Sequence, residues 1–100
     1  MVGDKQAIPL LREMASSPNP FLRPRAVEGL AMLDPIGHQS LFIEFLRDNN
    51  MSVRGAAVEA LAPFVSQGEV YRALQQAYTD EVSERLRQRL RDLLALQATG

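Results

Sequence analysis

This 100-residue chain contains one histidine and no cysteine, and its carboxylates are numerous but occur mostly singly rather than in clusters. Cysteine is absent, which excludes disulfides, thiolate catalysis and cysteine-type zinc sites. His38 is the only histidine and follows Gly37, where we expect a solvated or helix-capping role. No Ser-His-Asp set, glycine-rich phosphate loop or calcium-loop spacing occurs. The sequence therefore predicts no self-contained enzyme, no cofactor and no metal site.

Basic residues are densest between Arg85 and Arg91, where every second residue is an arginine. Steps of two residues turn a helix by about 200°, so these arginines divide into two stripes and do not form one basic face. Glu81, Glu84 and Asp92 lie nearby and offset their charge. Because the net charge of the whole chain is −1, we expect a solvated, salt-bridged helix and no nucleic-acid binding.

The arginines fall in a segment that the chain repeats. Residues 22–31 return 31 positions later as residues 53–62, with six identities in ten positions, and residues 86–95 form a weaker third copy. Self-similarity at this period is the signature of a helical repeat array, in which each unit buries its apolar face against its neighbour. Arg91 replaces the valine of the earlier copies, as expected of a terminal unit that no neighbour covers.

Apolar residues before and within each copy recur at the spacing of one helix face, so each unit is predicted to contain two helices. The fold class predicted is all-α: an α-solenoid, or α-α superhelix, of three helical hairpins in one domain over residues 1–100. The units are expected at about 5–35, 38–66 and 68–97. The six helices are expected at about 5–16, 21–33, 38–48, 51–65, 68–79 and 82–97.

Several residues indicate where these helices begin and end. Asn19, Asn50 and Ser83 each precede a repeated arginine by four positions and are good N-cap residues. The segment from Ser66 to Glu69 has the spacing of a capping box. Pro24 requires that the second helix either begins late or bends, and Pro63 is expected to stop or bend the fourth.

The segment 50–61 resembles a HEAT repeat, because a polar link is followed by a Val-Arg pair, two small residues and an Ala-Leu pair. The period of 31 residues is closest to the short HEAT-like repeats of the phycobilisome-lyase type. The resemblance covers roughly residues 7–96 as three units. It implies an α-solenoid whose second helices line the concave side.

The resemblance also implies a structural ladder, in which an acidic residue six positions before the repeated arginine links neighbouring units. The ladder residues are then Arg23, Arg54, Arg87, Asp48 and Glu81. The first unit departs from the pattern, because Ser17 stands six positions before Arg23. We expect the three arginines to be structural, since a charge-assisted acid–arginine bond in a partly buried groove is stronger than an exposed pair.

Acidic residues also recur at one exposed position of the second helices. Glu28, Glu59 and Asp92 occupy it in successive units and would form an acidic row on the concave side. We predict that this row, with Arg25 and Arg89 beside it, is the surface that binds a partner. The plain alternative is that these acids only keep the helices solvated.

The function predicted is a non-catalytic protein–protein interaction scaffold or adaptor, whose partner is another protein, with a homodimer as a further option. Two alternatives stay open. The lyase-type resemblance implies an accessory subunit or chaperone in bilin attachment or phycobiliprotein handling, which would need a partner subunit. The chain could also be a fragment of a longer HEAT solenoid. With no signal-peptide segment and no membrane-length apolar stretch, we expect a cytoplasmic protein.

Overall fold

The computed structural model describes residues 6–99, and the side chains of residues 6–96. Within these bounds the chain forms six α-helices and no strands. The helices are α1 (Ile8–Ala15), α2 (Leu22–Leu33), α3 (Gln39–Phe45), α4 (Met51–Leu61), α5 (Gly68–Asp80) and α6 (Glu84–Thr99). Helix α1 packs on α2, α3 on α4 and α5 on α6. The predicted all-α solenoid of three helical hairpins is confirmed.

The starts of α4 and α6 agree with the sequence prediction. The side chain of Asn50 accepts hydrogen bonds from the backbone N–H groups of Ser52 and Val53, at 2.9 and 3.3 Å, and so caps α4. The hydroxyl of Ser83 accepts a hydrogen bond from the backbone N–H of Leu86 at 3.3 Å. Both side chains satisfy amides that the first turn of a helix leaves unpaired.

Helix α2 begins later than a cap at Asn19 would place it. The Asn19 side chain instead accepts a hydrogen bond from the backbone N–H of Phe21, at 2.9 Å, in the turn before the helix. Pro24 is therefore the third residue of α2, where its missing N–H removes no bond of the helix. Of the two alternatives for this proline, the later start is correct.

The end of α4 agrees with its sequence prediction, and the start of α5 does not. Pro63 stops α4 as expected, because a short 3-10 turn over Ala62–Phe64 follows the helix. The capping box at Ser66 is wrong: α5 begins at Gly68, its N-cap is Gln67, and no side chain caps it.

One apolar core runs through all three hairpins and joins them. Its largest fully buried side chains include Leu30, Phe42, Leu61, Leu74 and Leu90. Small residues on the second helices, such as the fully buried Ala26 and Ala57, allow α2 to pack directly on α4. The result is a flat, elongated molecule with extents of 40 × 27 × 17 Å, as a row of hairpins should have.

Candidate functional site

Arg23 joins two successive hairpins. Its Nε and Nη2 atoms donate to the two carboxylate oxygens of Asp48, at 3.2 and 3.1 Å. Its Nη1 atom donates to the main-chain oxygen of Ser17 at 3.0 Å. The guanidinium therefore bridges the link inside its own hairpin and the link inside the next one.

Arg54 repeats this arrangement one hairpin further along. Its Nε and Nη2 atoms donate to the carboxylate of Glu81 at 2.9 and 3.0 Å, and its Nη1 atom donates to the main-chain oxygen of Asp48 at 2.8 Å. The Arg54 and Glu81 side chains are only 15% and 3% exposed, which makes this a shielded, bidentate pair.

Asp48, six positions before Arg54, thus has two separate uses. Its main-chain oxygen binds the arginine of its own hairpin, while its carboxylate binds the arginine of the preceding hairpin. Only the first use applies in the first hairpin, which explains why Ser17 suffices there. In this way the structure brings Arg23 to Asp48 and Arg54 to Glu81.

Each carboxylate also fixes the turn that follows it. Asp48 accepts a hydrogen bond from the backbone N–H of Asn50, and Glu81 accepts one from Ser83, both at 2.9 Å. Burial by itself would raise the pKa of the Glu81 carboxyl. The hydrogen bonds from Arg54 and from the Ser83 backbone outweigh burial, so the pKa lies below its usual value.

Arg87 does not take part in a third pair of this kind, because no link after α6 within the described residues offers it a carboxylate. Its guanidinium lies over the ring of Tyr78, with Cζ 4.9 Å from the ring centroid. Its Nε atom is buried and has no hydrogen-bond acceptor within the described part of the chain. Arg91 donates to the Tyr78 hydroxyl at 3.4 Å, and this bond, with a contribution from Arg87, lowers the pKa of Tyr78.

An open groove of about 890 Å³ runs across the second helices of the hairpins, and we call it the second-helix groove. Apolar side chains from α2 and α4 form much of its lining, among them Ala31, Met32, Met51 and Ala56. Met32 is 83% exposed and Met51 is 49% exposed. The groove therefore presents two large, flexible apolar side chains to whatever enters it.

The charges at this groove balance. Glu59 binds Arg89 of α6, with Nε–Oε2 and Nη2–Oε1 distances of 2.7 and 2.9 Å. The bond lowers the pKa of Glu59 and raises that of Arg89. Glu28 also lines the groove and has no ion-pair partner within residues 6–96, while Arg85 adds a second positive charge.

The remaining members of the predicted acidic row lie elsewhere. The carboxylate of Asp92 accepts a hydrogen bond from the Gln88 side chain at 2.9 Å, and neither Asp92 nor the exposed Arg25 is in the groove lining. The structure thus places Glu28, Glu59 and Arg89 together. The methionines that share the groove with them were not singled out by the sequence, although each is an apolar residue at one end of a second helix.

His38 is buried, with 4% exposure, so the expected solvated role is wrong. Its Nε2 atom accepts a hydrogen bond from Arg12 Nε at 3.0 Å, and its Nδ1 atom lies 2.8 Å from the Asp34 main-chain oxygen. Because Arg12 can only donate and a carbonyl can only accept, these contacts match the ring tautomer that carries its hydrogen on Nδ1. The histidine holds α1 against the turn before α3.

A second groove, of about 640 Å³, lies beside the ladder between α3 and α5. Its lining includes Arg54 and Glu81, which are already bound to each other. Within the described residues, no group of three His, Asp or Glu side chains could hold a metal ion. No described helix is both long and apolar enough to cross a membrane.

Comparison with known proteins gives one finding. The family model for HEAT repeats matches residues 1–62, the part of the chain that contains the first two hairpins. Searches of curated proteins and of solved structures found no match.

Proposed function

We propose that this chain, which belongs to the HEAT-repeat family, is a non-catalytic scaffold that holds a partner protein in the second-helix groove. HEAT repeats generally serve as protein-interaction scaffolds and are typically non-catalytic. The observation that supports the groove as the binding surface is the pair of exposed methionines, Met32 and Met51, on its lining.

Single exposed apolar residues are ordinary on a protein surface, but two in one concave site are more informative. Methionine is unbranched and polarisable, so it adapts to differently shaped apolar side chains of a partner. The small residues Ala31, Gly55 and Ala56 complete the lining and leave room for a backbone or a helix to approach.

The charge balance of the groove indicates the chemistry of the partner. Glu59 is neutralised by Arg89, so the charges that remain open to a partner on this side are Glu28 and Arg85. We therefore expect an amphipathic segment that inserts apolar side chains between Met32 and Met51. A lysine or arginine on that segment would lie beside Glu28.

Capture from native lysate, followed by mass spectrometry, tests this function. The immobilised wild-type chain is compared with M32E/M51E and with I36E, a matched change at an apolar residue that is 73% exposed outside the groove lining. We expect M32E/M51E to lose the specific partner, because a carboxylate in the groove must be desolvated on binding, and I36E to retain it.

Circular dichroism of the three proteins provides the folding control. All three substituted residues are exposed, so helical content should be unchanged. Equal capture by wild type and M32E/M51E would refute the groove as the docking surface.

The role in bilin attachment implied by the lyase-type resemblance has a separate test. The chain is mixed with a bilin and an apo-phycobiliprotein, and the visible absorption spectrum is followed. We expect no spectral change. A change that depends on this chain would favour the bilin-handling role over the scaffold proposed above.

A further inference from the structure

We propose, building on the function proposed above, that the second-helix groove holds an amphipathic helix of its partner in one direction. This helix carries an acidic residue in its first turn, which lies beside Arg85 of α6. It carries a basic residue in its last turn, which lies beside Glu28 of α2. Its apolar face lies against Met32 and Met51.

The two open charges of the groove stand on its two outer helices. Glu28 belongs to α2 and Arg85 to α6, and both side chains are exposed and line the groove. Neither has an ion-pair partner within residues 6–96. On α4, Glu59 is neutralised by Arg89. The groove is therefore negative on the α2 side, neutral in the middle and positive on the α6 side.

The neighbouring charges do not cancel these two. Arg25 stands three positions before Glu28, and Glu84 directly precedes Arg85, and all four side chains are exposed. Neither Arg25 nor Glu84 lines the groove. A partner that enters the groove thus meets an acid at one end and a base at the other, which is a pattern of charge that it can complement in only one order.

The surface of the groove favours a helix over an extended segment. Residues of α2, α4 and α6 form most of it, and no strand edge occurs among the described residues. An extended segment would place its backbone N–H and C=O groups against apolar residues such as Ala31, Ala56 and Leu86 without partners, which is costly. A helix satisfies its own backbone groups and presents only side chains.

The spacing of the second helices sets the length of the bound helix. Helix α2 packs on α4, and Arg89 reaches from α6 to Glu59 of α4. Neighbouring helix axes stand about 8–10 Å apart, so the outer two are on the order of 20 Å apart. A helix rises about 1.5 Å per residue, so its two charged residues should be separated by roughly 13 residues.

The direction follows from the electrostatics of the partner helix itself. An acid in the first turn and a base in the last turn complement the macrodipole and so stabilise a helix before it binds. With this order of charges, the acid meets Arg85 and the base meets Glu28 only when the N-terminus lies over α6 and the C-terminus over α2. The opposite direction would bring like charges together at both ends of the groove.

Two synthetic peptides of about 18 residues, with the same apolar face of leucine and alanine, test the role of the charges. The charged peptide has glutamate in its first turn and lysine in its last turn, and the neutral peptide has glutamine at both positions. By fluorescence anisotropy, we expect wild type to bind the charged peptide about two- to tenfold more tightly, because two exposed ion pairs each contribute modestly. The matched variant E28Q/R85Q should bind both peptides as tightly as wild type binds the neutral one.

A nitroxide at the N-terminus of the charged peptide reports the direction. In wild type we expect it to broaden the methyl signals of Leu86, on α6, more than the methyl signal of Met32, on α2. In the charge-swapped variant E28R/R85E the peptide should turn round, so that Met32 is broadened more than Leu86. Because Glu28 and Arg85 are exposed, circular dichroism should show unchanged helical content in every variant.

Equal affinity of wild type for the two peptides, or broadening that the charge swap does not reverse, would overturn the selection of one direction and leave the groove as a docking surface. Failure of both peptides to bind would overturn it as well. Capture from lysate with M32E/M51E tests the groove without these peptides, so failure of the groove and failure of the selected direction are distinguished.

Discussion

Arg54 joins three segments of the chain with one side chain. Its backbone belongs to α4. Its guanidinium binds the main-chain oxygen of Asp48, in the link of the same hairpin, and the carboxylate of Glu81, in the following hairpin. A guanidinium suits this position because its five N–H donors are fixed in one plane and stay charged. The pair is shielded from water, so removal of one partner would leave the other buried without its counter-charge, which costs more than the loss of an exposed ion pair.

The lowered pKa of Glu81 predicts how stability depends on pH. In the unfolded chain the carboxyl has its ordinary pKa of about 4.5, and in the folded chain the pKa is lower. The stabilisation from the Arg54 pair is therefore fully present above the unfolded-state pKa and is lost as pH falls through the folded-state pKa. We expect E81Q to lower the unfolding free energy near neutral pH by about 1–3 kcal/mol and to make its decline below pH 4.5 shallower.

Urea unfolding at a series of pH values measures this effect. E28Q is the matched control, because Glu28 is exposed and has no ion-pair partner within the described residues. Its unfolding curves should follow those of wild type. A pH dependence of E81Q identical to that of wild type would show that Glu81 does not couple the hairpins.

At the residue scale, the sequence carries the most information where the repeat itself fixes the position of a side chain. The repeated arginines and the acids of the links stand at fixed spacings, and the family resemblance supplied a structural role for them. The expectation for His38 is wrong because its side chain binds Arg12, which is 26 positions away in another hairpin. Nothing in the residues around His38 signals that contact.

At the scale of helices, local chemistry decides where each element starts and stops. Asn50 caps α4 and Pro63 ends it, and both effects act within a few residues along the chain. The failed capping box at Ser66 shows the limit of such signals, because α5 begins without any side-chain cap. Packing of its apolar face supplies the stability that a cap does not.

Two glycines inside second helices provide a prediction at this scale. A Cβ atom added at Gly55 would meet nothing within 4 Å, whereas one added at Gly29 would lie 2.9 Å from a methyl carbon of Leu11. We expect G55A to raise the unfolding free energy by about 0.5–1 kcal/mol, because alanine favours the helix more than glycine. G29A should gain less or be destabilising, since Leu11 must move.

Urea unfolding of both variants under the same conditions checks this difference, and each serves as the control for the other. In sequence the two glycines look alike, because both fall in copies of the same repeated segment. Equal gains for G55A and G29A would contradict the close approach of α1 to α2 at this point.

At the scale of the whole molecule, the 31-residue period was sufficient to predict the fold. A hairpin of this length cannot bury its apolar face alone, so repetition implies stacking and stacking implies a solenoid. The composition of the groove was harder to predict. It depends on how far the second helices stand apart, and on Arg89 reaching from α6 to Glu59 of α4.

The central claim is that the second-helix groove binds the partner through its methionines. Chemical-shift changes of methionine methyl groups, recorded by NMR as the captured partner is added, test it most directly. Met32 and Met51 lie in the groove lining, and Met14 of α1 lies outside it as an internal control. We predict that the Met32 and Met51 signals shift while the Met14 signal does not. Unchanged Met32 and Met51 signals with saturating partner, or a shift confined to Met14, would contradict the account.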